Sequence, residues 1–219
     1  MFLIPFRPDF LGRACAALLL AGLSTACGDD LQPTPGPDED ENPVITPRDG
    51  ANLKHHDNGD GSFTSVVDAT DMEAWVGVDL DTGKQVSATE DAVWDLAFQR
   101  YTVKARGGVS GTGGVQVAIV PGTAFAALTQ APASGYVTDA ADGPDTGDSP
   151  DTVFNAGDGW YVYDPPTHSL TPRDQLYVVR SDSGTYFKVQ VQSYYDAAGT
   201  PAMMKLLWAQ VAAPAGVRP

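Results

Sequence analysis

The sequence predicts an all-β fold: a single domain of many short antiparallel strands with one short helix. Three observations predict it. Between Thr185 and Tyr195, Phe187, Val189 and Val191 alternate with Lys188, Gln190 and Gln192, the two-residue period of a half-buried strand. Gln175 to Arg180 is a second strand-like run just before it, and Ser181-Asp182-Ser183-Gly184 between them has hairpin-loop composition, with Gly184 free to take positive φ. Ala74 to Leu80 is a third strand, closed by the turn Asp81-Thr82-Gly83.

The remaining elements follow in chain order. Asp57-Asn58-Gly59-Asp60-Gly61-Ser62 has the residue types of a calcium loop, but no register meets the EF-hand spacing. It reads as a hairpin turn leading into a strand over 63–67. Lys84 to Thr89 returns antiparallel to 74–80, and 93–99 with 101–105 forms another extended run. Gly107 to Gly114 lacks the Gly-Lys-Ser/Thr ending and the following helix of a phosphate cradle, so it reads as a wide turn or a close backbone approach. The short helix is placed at 124–130, with Thr123 as its N-cap and Pro132 limiting its end. Residues 139–151 carry five Asp at three-residue spacing and read as a solvated, mobile loop, with calcium chelation as the lesser alternative. Residues 205–211 form the last strand.

The N-terminus reads as a bacterial lipoprotein signal over residues 1–26. Arg7 and Arg13 precede an apolar stretch too short to cross a ~30 Å hydrocarbon layer. The stretch ends in Leu23-Ser24-Thr25-Ala26-Cys27, so cleavage falls between Ala26 and Cys27 and the Cys27 thiol takes the lipid. An ordinary signal cut after Ala26, leaving a free thiol, is the alternative. Residues 27–50 form an acidic, Pro-rich tether with too few apolar side chains to fold. The domain spans 51–213, followed by a tail over 214–219. Removing the signal leaves about 190 residues, enough for one real core. The only other cysteine, Cys15, lies in the signal, so the domain holds no disulfide. A net charge of −15 argues against nucleic acid as a partner, because phosphate binding needs a basic face.

The sequence holds three histidines: His55, His56 and His168. Neighbours on an extended chain point to opposite faces, so His55 and His56 do not share one metal. No zinc spacing, His-Glu-x-x-His or Gly-x-Ser-x-Gly motif is present, which argues against an enzyme. His168 follows Asp164-Pro165-Pro166-Thr167, a rigid turn beside several aromatics. It is a candidate axial ligand for haem iron; a surface His, or one bonded to the turn backbone, is the alternative. Met203 and Met204 offer thioethers, with core packing of at least one the default.

Trp94-Asp95-Leu96-Ala97-Phe98-Gln99-Arg100-Tyr101 followed by Gly107-Gly108-Val109-Ser110-Gly111 resembles the central signature of the HmuY-like family. The Trp75–Val86 block, Trp160-Tyr161-Val162-Tyr163, and Tyr194-Tyr195-Asp196-Ala197-Ala198-Gly199-Thr200 fit its order and spacing. The resemblance implies an all-β outer-membrane lipoprotein that binds haem and passes it to a TonB-dependent receptor, without catalysis. It also implies iron held by two side chains, His or Met. Trp94, Asp95, Phe98 and Arg100 look like fold-defining positions, which leaves His168 with Met203 or Met204 as the ligand candidates. Walls would come from Trp160, Tyr161, Tyr163, Tyr177 and Trp208, and cations for the propionates from Arg173 or Arg180. A His/Met pair would leave the iron with no open position, which suits carriage. The alternative is a cofactor-free interaction or structural lipoprotein on the same fold.

Overall fold

The computed structural model describes residues 45–143 and 151–216. Its folded unit runs Pro43–Pro219; the unit before it, Met1–Asn42, lies outside the described residues, and with it the signal, Cys27 and most of the tether. Among the described residues no helix is long and apolar enough to cross a membrane.

Among the described residues twelve strands form the body: β1 (Leu53–Asp57), β2 (Ser62–Asp68), β3 (Val76–Asp79), β4 (Lys84–Ser87), β5 (Leu96–Gln99), β6 (Thr102–Ala105), β7 (Gln116–Pro121), β8 (Tyr161–Asp164), β9 (Ser169–Pro172), β10 (Gln175–Arg180), β11 (Tyr186–Tyr195) and β12 (Pro201–Val211). All pair antiparallel. One six-stranded sheet has the order β1-β2-β12-β11-β10-β7, a second has β4-β3-β5-β6, and β8 and β9 form a separate hairpin. The expected strands and turns are present, with Gly184 at φ 89 and Gly83 at φ 60 in their loops. The last strand starts earlier than its composition suggests. Ala202, at φ 65 and fully buried, accepts the Ala69 amide at 2.9 Å, next to where the β11–β12 register slips between Val191 and Tyr195.

The two larger sheets share one core. Val76, Val78, Leu96, Phe98 and Val103 of the smaller sheet belong to the same buried cluster as Val67, Phe187, Val189, Val191, Met204, Leu206 and Trp208 of the larger. The alternating positions of β11 and β12 therefore fill the space between sheets, as period-two patterning requires. A smaller cluster, including Ala118, Ala131, Val178 and Tyr186, lies on the other face of the six-stranded sheet.

That second face explains two departures from expectation. The helix expected over 124–130 is a single 3₁₀ turn, Phe125–Ala127, with Ala124 and Leu128 extended on either side. Thr123 does not cap it; its hydroxyl donates back to the Pro121 carbonyl. The carbonyls of Phe125 and Leu128 instead accept bonds from Lys188 Nζ, at 2.7 and 3.0 Å. Lys188, expected on a solvated face, is thereby 8% exposed and sits 4.2 Å from the centre of the Phe125 ring.

Two further boundaries shift. Residues 45–50, assigned by composition to the tether, belong to the folded body: Ile45 packs on the core and the Arg48 amide donates to the Gly83 carbonyl at 3.0 Å. Asp139, the first of the spaced Asp, is not solvated. It is 1% exposed, and its oxygens accept the amides of Ala105 (2.9 Å) and Val153 (2.8 Å). Residues 144–150 of that loop lie outside the described residues. The Gly-rich run is a close backbone approach: a Cβ on Gly108 would stand 1.9 Å from the Asp139 carbonyl oxygen, and one on Gly107 2.2 Å from that of Val115.

Candidate functional site

The β8–β9 hairpin is built by its turn. Pro165 and Pro166 carry no N–H and fix their own φ, so the chain reverses within four residues. Asp164 accepts the Thr167 hydroxyl, and His168 sits at φ 55 to complete the reversal. Tyr163 pairs with Leu170, and the Tyr163 hydroxyl bonds His168 Nδ1. The hairpin base is anchored where Leu170 and Tyr161 pack on the core and the Leu170 amide donates to the Tyr195 hydroxyl at 3.0 Å. His168 is exposed at the tip.

A tyrosine-rich surface surrounds that base. Tyr101 meets Tyr161 edge-on at 6.0 Å, Tyr161 meets Trp160 at 4.8 Å, and Tyr194 meets Tyr195 at 5.0 Å. Burial raises the phenol pKa of Tyr161 and of Tyr194. Tyr101, Val162 and Tyr163 are each about half exposed. Arg100, beside Tyr101, takes the Ala69 carbonyl through its amide and the Thr70 carbonyl through Nη1, tying loop 69–75 to this end. Met72 on that loop is 75% exposed, an unpacked thioether that the sequence reading passed over. Its signal was available: a large apolar residue flanked by Asp71 and Glu73.

The structure does not bring the expected methionines to His168. Met204 is 0% exposed in the core, so its sulfur is committed to packing. Met203 is its neighbour on β12 and so points to the opposite face of the sheet, away from the core face on which the hairpin packs. Three expected wall residues are also core. Trp160 donates to the Tyr101 carbonyl at 2.9 Å, Tyr177 stacks on Phe154 at 4.0 Å, and Trp208 donates to Ser65 Oγ at 2.7 Å. Burial pushes the Tyr177 phenol up to about 12. Of the five, Tyr161 and Tyr163 remain at the surface of the hairpin. Arg173 holds Asp158 through its carbonyl at 2.9 Å and its carboxylate at 3.6 Å, and Arg180 reaches Gln116 at 3.5 Å.

The signature residues carry the fold. Trp94 is buried and donates to the Thr89 carbonyl at 3.0 Å; Asp95 accepts the amides of Leu80 (2.7 Å) and Asp182 (3.3 Å). Asp79, Asp81 and Asp95 bring carboxylate oxygens within 4.8 Å of one another. Their neighbours already occupy them: Ser181 and Ser183 donate to Asp81, and Thr82 to Asp79. Burial first, then the charges of Asp81 and Asp79, push the Asp95 carboxyl up to about 7 against the opposing Leu80 amide. The folded state therefore holds a proton that the unfolded state releases near pH 3.8. Asp95 contributes stability at low pH that is lost as pH rises from about 4 through about 7. Denaturant titrations of the wild type and Asp95→Asn are expected to differ in slope within that window; parallel pH profiles would refute the assignment.

Comparison with known proteins agrees with this architecture. The HmuY protein family matches residues 71–208, from the loop before β3 into β12. A crystal structure named for an HmuY-like heme-binding protein of Bacteroides vulgatus ATCC 8482 is similar at 24% identity and a TM-score of 0.56, over 72% of this chain and 96% of that one. One named for a lipoprotein of Bacteroides fragilis NCTC 9343 is similar at 22% identity and 0.55, over 75% and 95%. The apo HmuY analogue of Tannerella forsythia is similar at 17% identity and 0.50, over 73% and 96%. At these identities the structural likeness is one of fold. No curated protein matches the chain. The family match spans well over half of the sequence, through the Trp94–Tyr101 signature and both sheets, and the chain belongs to the HmuY family.

Proposed function

We propose that this chain is a lipid-anchored haem-binding protein of the outer membrane that relays haem for iron acquisition, without catalysis. The observation that carries the reading, beside family membership, is His168: an exposed imidazole on a rigid hairpin, with Nδ1 held by the Tyr163 hydroxyl. That bond aims the ring, and with Nδ1–H donating to the hydroxyl Nε2 would be the coordinating atom. Among the described residues His168 would hold the haem iron without Met203 or Met204 as its partner. When bound, haem supplies the iron centre that an imidazole can hold. Tyr163 and Tyr101 supply ring surface for the macrocycle, and Arg173 at the hairpin base is the cation nearest in sequence for a propionate. Met72, an exposed thioether on the loop that Arg100 ties down, would offer a further soft ligand for the iron.

Titrating the folded domain with ferric haem is expected to give a shifted, sharpened Soret band saturating at one equivalent. A spectrum identical to free haem at all ratios would overturn the proposal. The second reading is a cofactor-free interaction module, favoured by one specific observation: Met204 is sealed in the core and Met203 faces away. Membrane attachment rests on Cys27, and hand-over is expected to a TonB-dependent receptor. Cells fed labelled palmitate are expected to label the wild type and not Cys27→Ala; equal labelling would remove the anchor.

A further inference from the structure

The strap of residues 45–50 lies beside β1, the edge strand of the six-stranded sheet, and a cavity of about 340 Å³ separates the two. Backbone amides fix the strap on either side of it. The Arg48 amide donates to the Gly83 carbonyl (3.0 Å), the Gly50 amide to the Leu53 carbonyl (2.8 Å), and the His55 amide to Asp49 (2.9 Å). The cavity joins two chemistries. Ile45, Pro47 and Phe63 give it apolar wall, and Asp49, His55 and Asp57 give it polar groups. No residue of the β8–β9 hairpin lines it, so the haem reading leaves it unused.

One atom of the His55 ring is unmet. Nδ1 bonds Ser65 Oγ at 2.7 Å, and the Trp208 indole N–H donates to the same oxygen at 2.7 Å. The Gly83 carbonyl near the ring takes the Arg48 amide and makes no bond of good geometry with the imidazole. Nε2 is thus buried without a partner. It is a donor or an acceptor according to which of Ser65 and Nδ1 holds the proton between them, and a hydroxyl serves it in both cases. Such an atom is costly until something bonds it. The carboxylates set a second requirement. Asp57 gives Oδ1 to the Gly59 amide (2.8 Å) and has no ion-pair partner among the described residues. Asp49 meets Lys54 at 3.5 Å, but both side chains are more than half exposed, and pairs of that kind are held weakly. A single metal ion does not fit. Among the described residues only Asp79, Asp81 and Asp95 bring three such ligand atoms within 4.8 Å of one another, so Asp49, His55 and Asp57 stand too far apart to share one.

We propose that this cavity binds a small amine that carries a hydroxyl group. The ammonium sits between Asp57 and Asp49, the hydroxyl bonds His55 Nε2, and the carbon chain lies on Ile45, Pro47 and Phe63. Each feature of the cavity excludes a competitor. An anion would face two carboxylates in a chain of net charge −15. A plain alkylamine leaves Nε2 unmet, and a plain alcohol leaves the carboxylates without a cation. Water alone meets the polar groups but leaves the apolar walls wet. A porphyrin is far too large for the space, so this site and the candidate haem site do not compete. The strap supplies Ile45, Pro47 and Asp49, and the sheet supplies His55, Asp57 and Phe63. A bound amine therefore bridges strap and sheet, and holds the strap more firmly than its backbone bonds do alone.

Nuclear magnetic resonance of the ¹⁵N-labelled protein at neutral pH tests the site, with aminopropanol as the probe and propylamine and propanol as its two halves. Aminopropanol is expected to shift the His55 Nε2 signal and the Thr46, His55 and Phe63 amides along one saturable curve, and to slow hydrogen exchange at the Arg48 and Gly50 amides. Propylamine and propanol are each expected to bind about 10-fold or more weakly, since each lacks one of the two polar contacts. Asp57→Asn keeps the acceptor for the Gly59 amide and removes the charge, so it is expected to weaken aminopropanol by about 10-fold or more while the fold stays intact. His55→Gln is expected to bring aminopropanol down to the affinity of propylamine; should that variant not fold, Asp57→Asn and the two half-probes carry the test. The absence of any saturable shift would overturn the proposal and leave a water-filled gap. Equal affinity for aminopropanol and propanol, or an affinity unchanged in Asp57→Asn, would overturn it as well.

Discussion

His168→Ala is expected to weaken haem binding roughly 100-fold or more, since even partners one bond removed from a metal cost about 10–100-fold when lost. The substitution should leave the fold intact. His168 is exposed, and the hairpin keeps its Pro165-Pro166 turn, the Asp164–Thr167 bond and the Leu170–Tyr195 anchor. Only the φ of 55 at this position disfavours alanine, by about 1–2 kcal/mol. His168→Asn tolerates that backbone better and separates the two effects. Tyr163→Phe is expected to weaken binding by about 10-fold, because the ring then loses its orienting hydroxyl but not its coordinating nitrogen. Spectrophotometric titration reads all three. Unchanged affinity in His168→Ala, with an intact melting transition, would move the site elsewhere on the molecule.

Asp139→Ala is expected to cost the most stability of any single polar substitution considered. The side chain substitutes for a neighbouring strand. β6 is the outer strand of the four-stranded sheet, and its outward amides at Val103 and Ala105 are taken by Asn155 Oδ1 (2.9 Å) and Asp139 Oδ2 (2.9 Å). The other Asp139 oxygen holds the Val153 amide, where the chain returns after the Asp-rich segment. Alanine would strand two buried N–H groups at about 1–3 kcal/mol each, so the expected loss is roughly 2–6 kcal/mol. That is a large share of the ~5–15 kcal/mol that typically holds a domain together. Asp139→Asn keeps one acceptor and is expected to lose about half as much. Urea denaturation measures both; a loss below about 0.5 kcal/mol for the alanine variant would contradict the edge-capping role.

The strands were legible because their signal is local. Phe187, Val189 and Val191 face a core, and the hairpin glycines mark reversals that the backbone must make. The Gly107–Gly114 run was legible for the same reason, since few functions other than close approach need so many glycines. What failed depended on distant partners. Lys188 has an ordinary surface sequence context, and only the fold brings Phe125 and Leu128 carbonyls to its amine. Asp139 looked like one of five equivalent carboxylates, and only tertiary structure singles it out. At the candidate site, the exposed His168 beside aromatics was visible in the Tyr163–His168 spacing. Its relation to Met203 and Met204 was not, because which of two adjacent residues faces the core depends on the register of β12 against β2 and β11.

Electron-nuclear spectroscopy of ferric haem bound to protein carrying ¹⁵N-labelled histidine tests most directly whether the hairpin imidazole holds iron. The account predicts one strongly coupled histidine nitrogen in the wild type, absent from His168→Ala and retained when His55 or His56 is replaced. A bound haem without any coupled histidine nitrogen, or with coupling that survives His168→Ala, would contradict it.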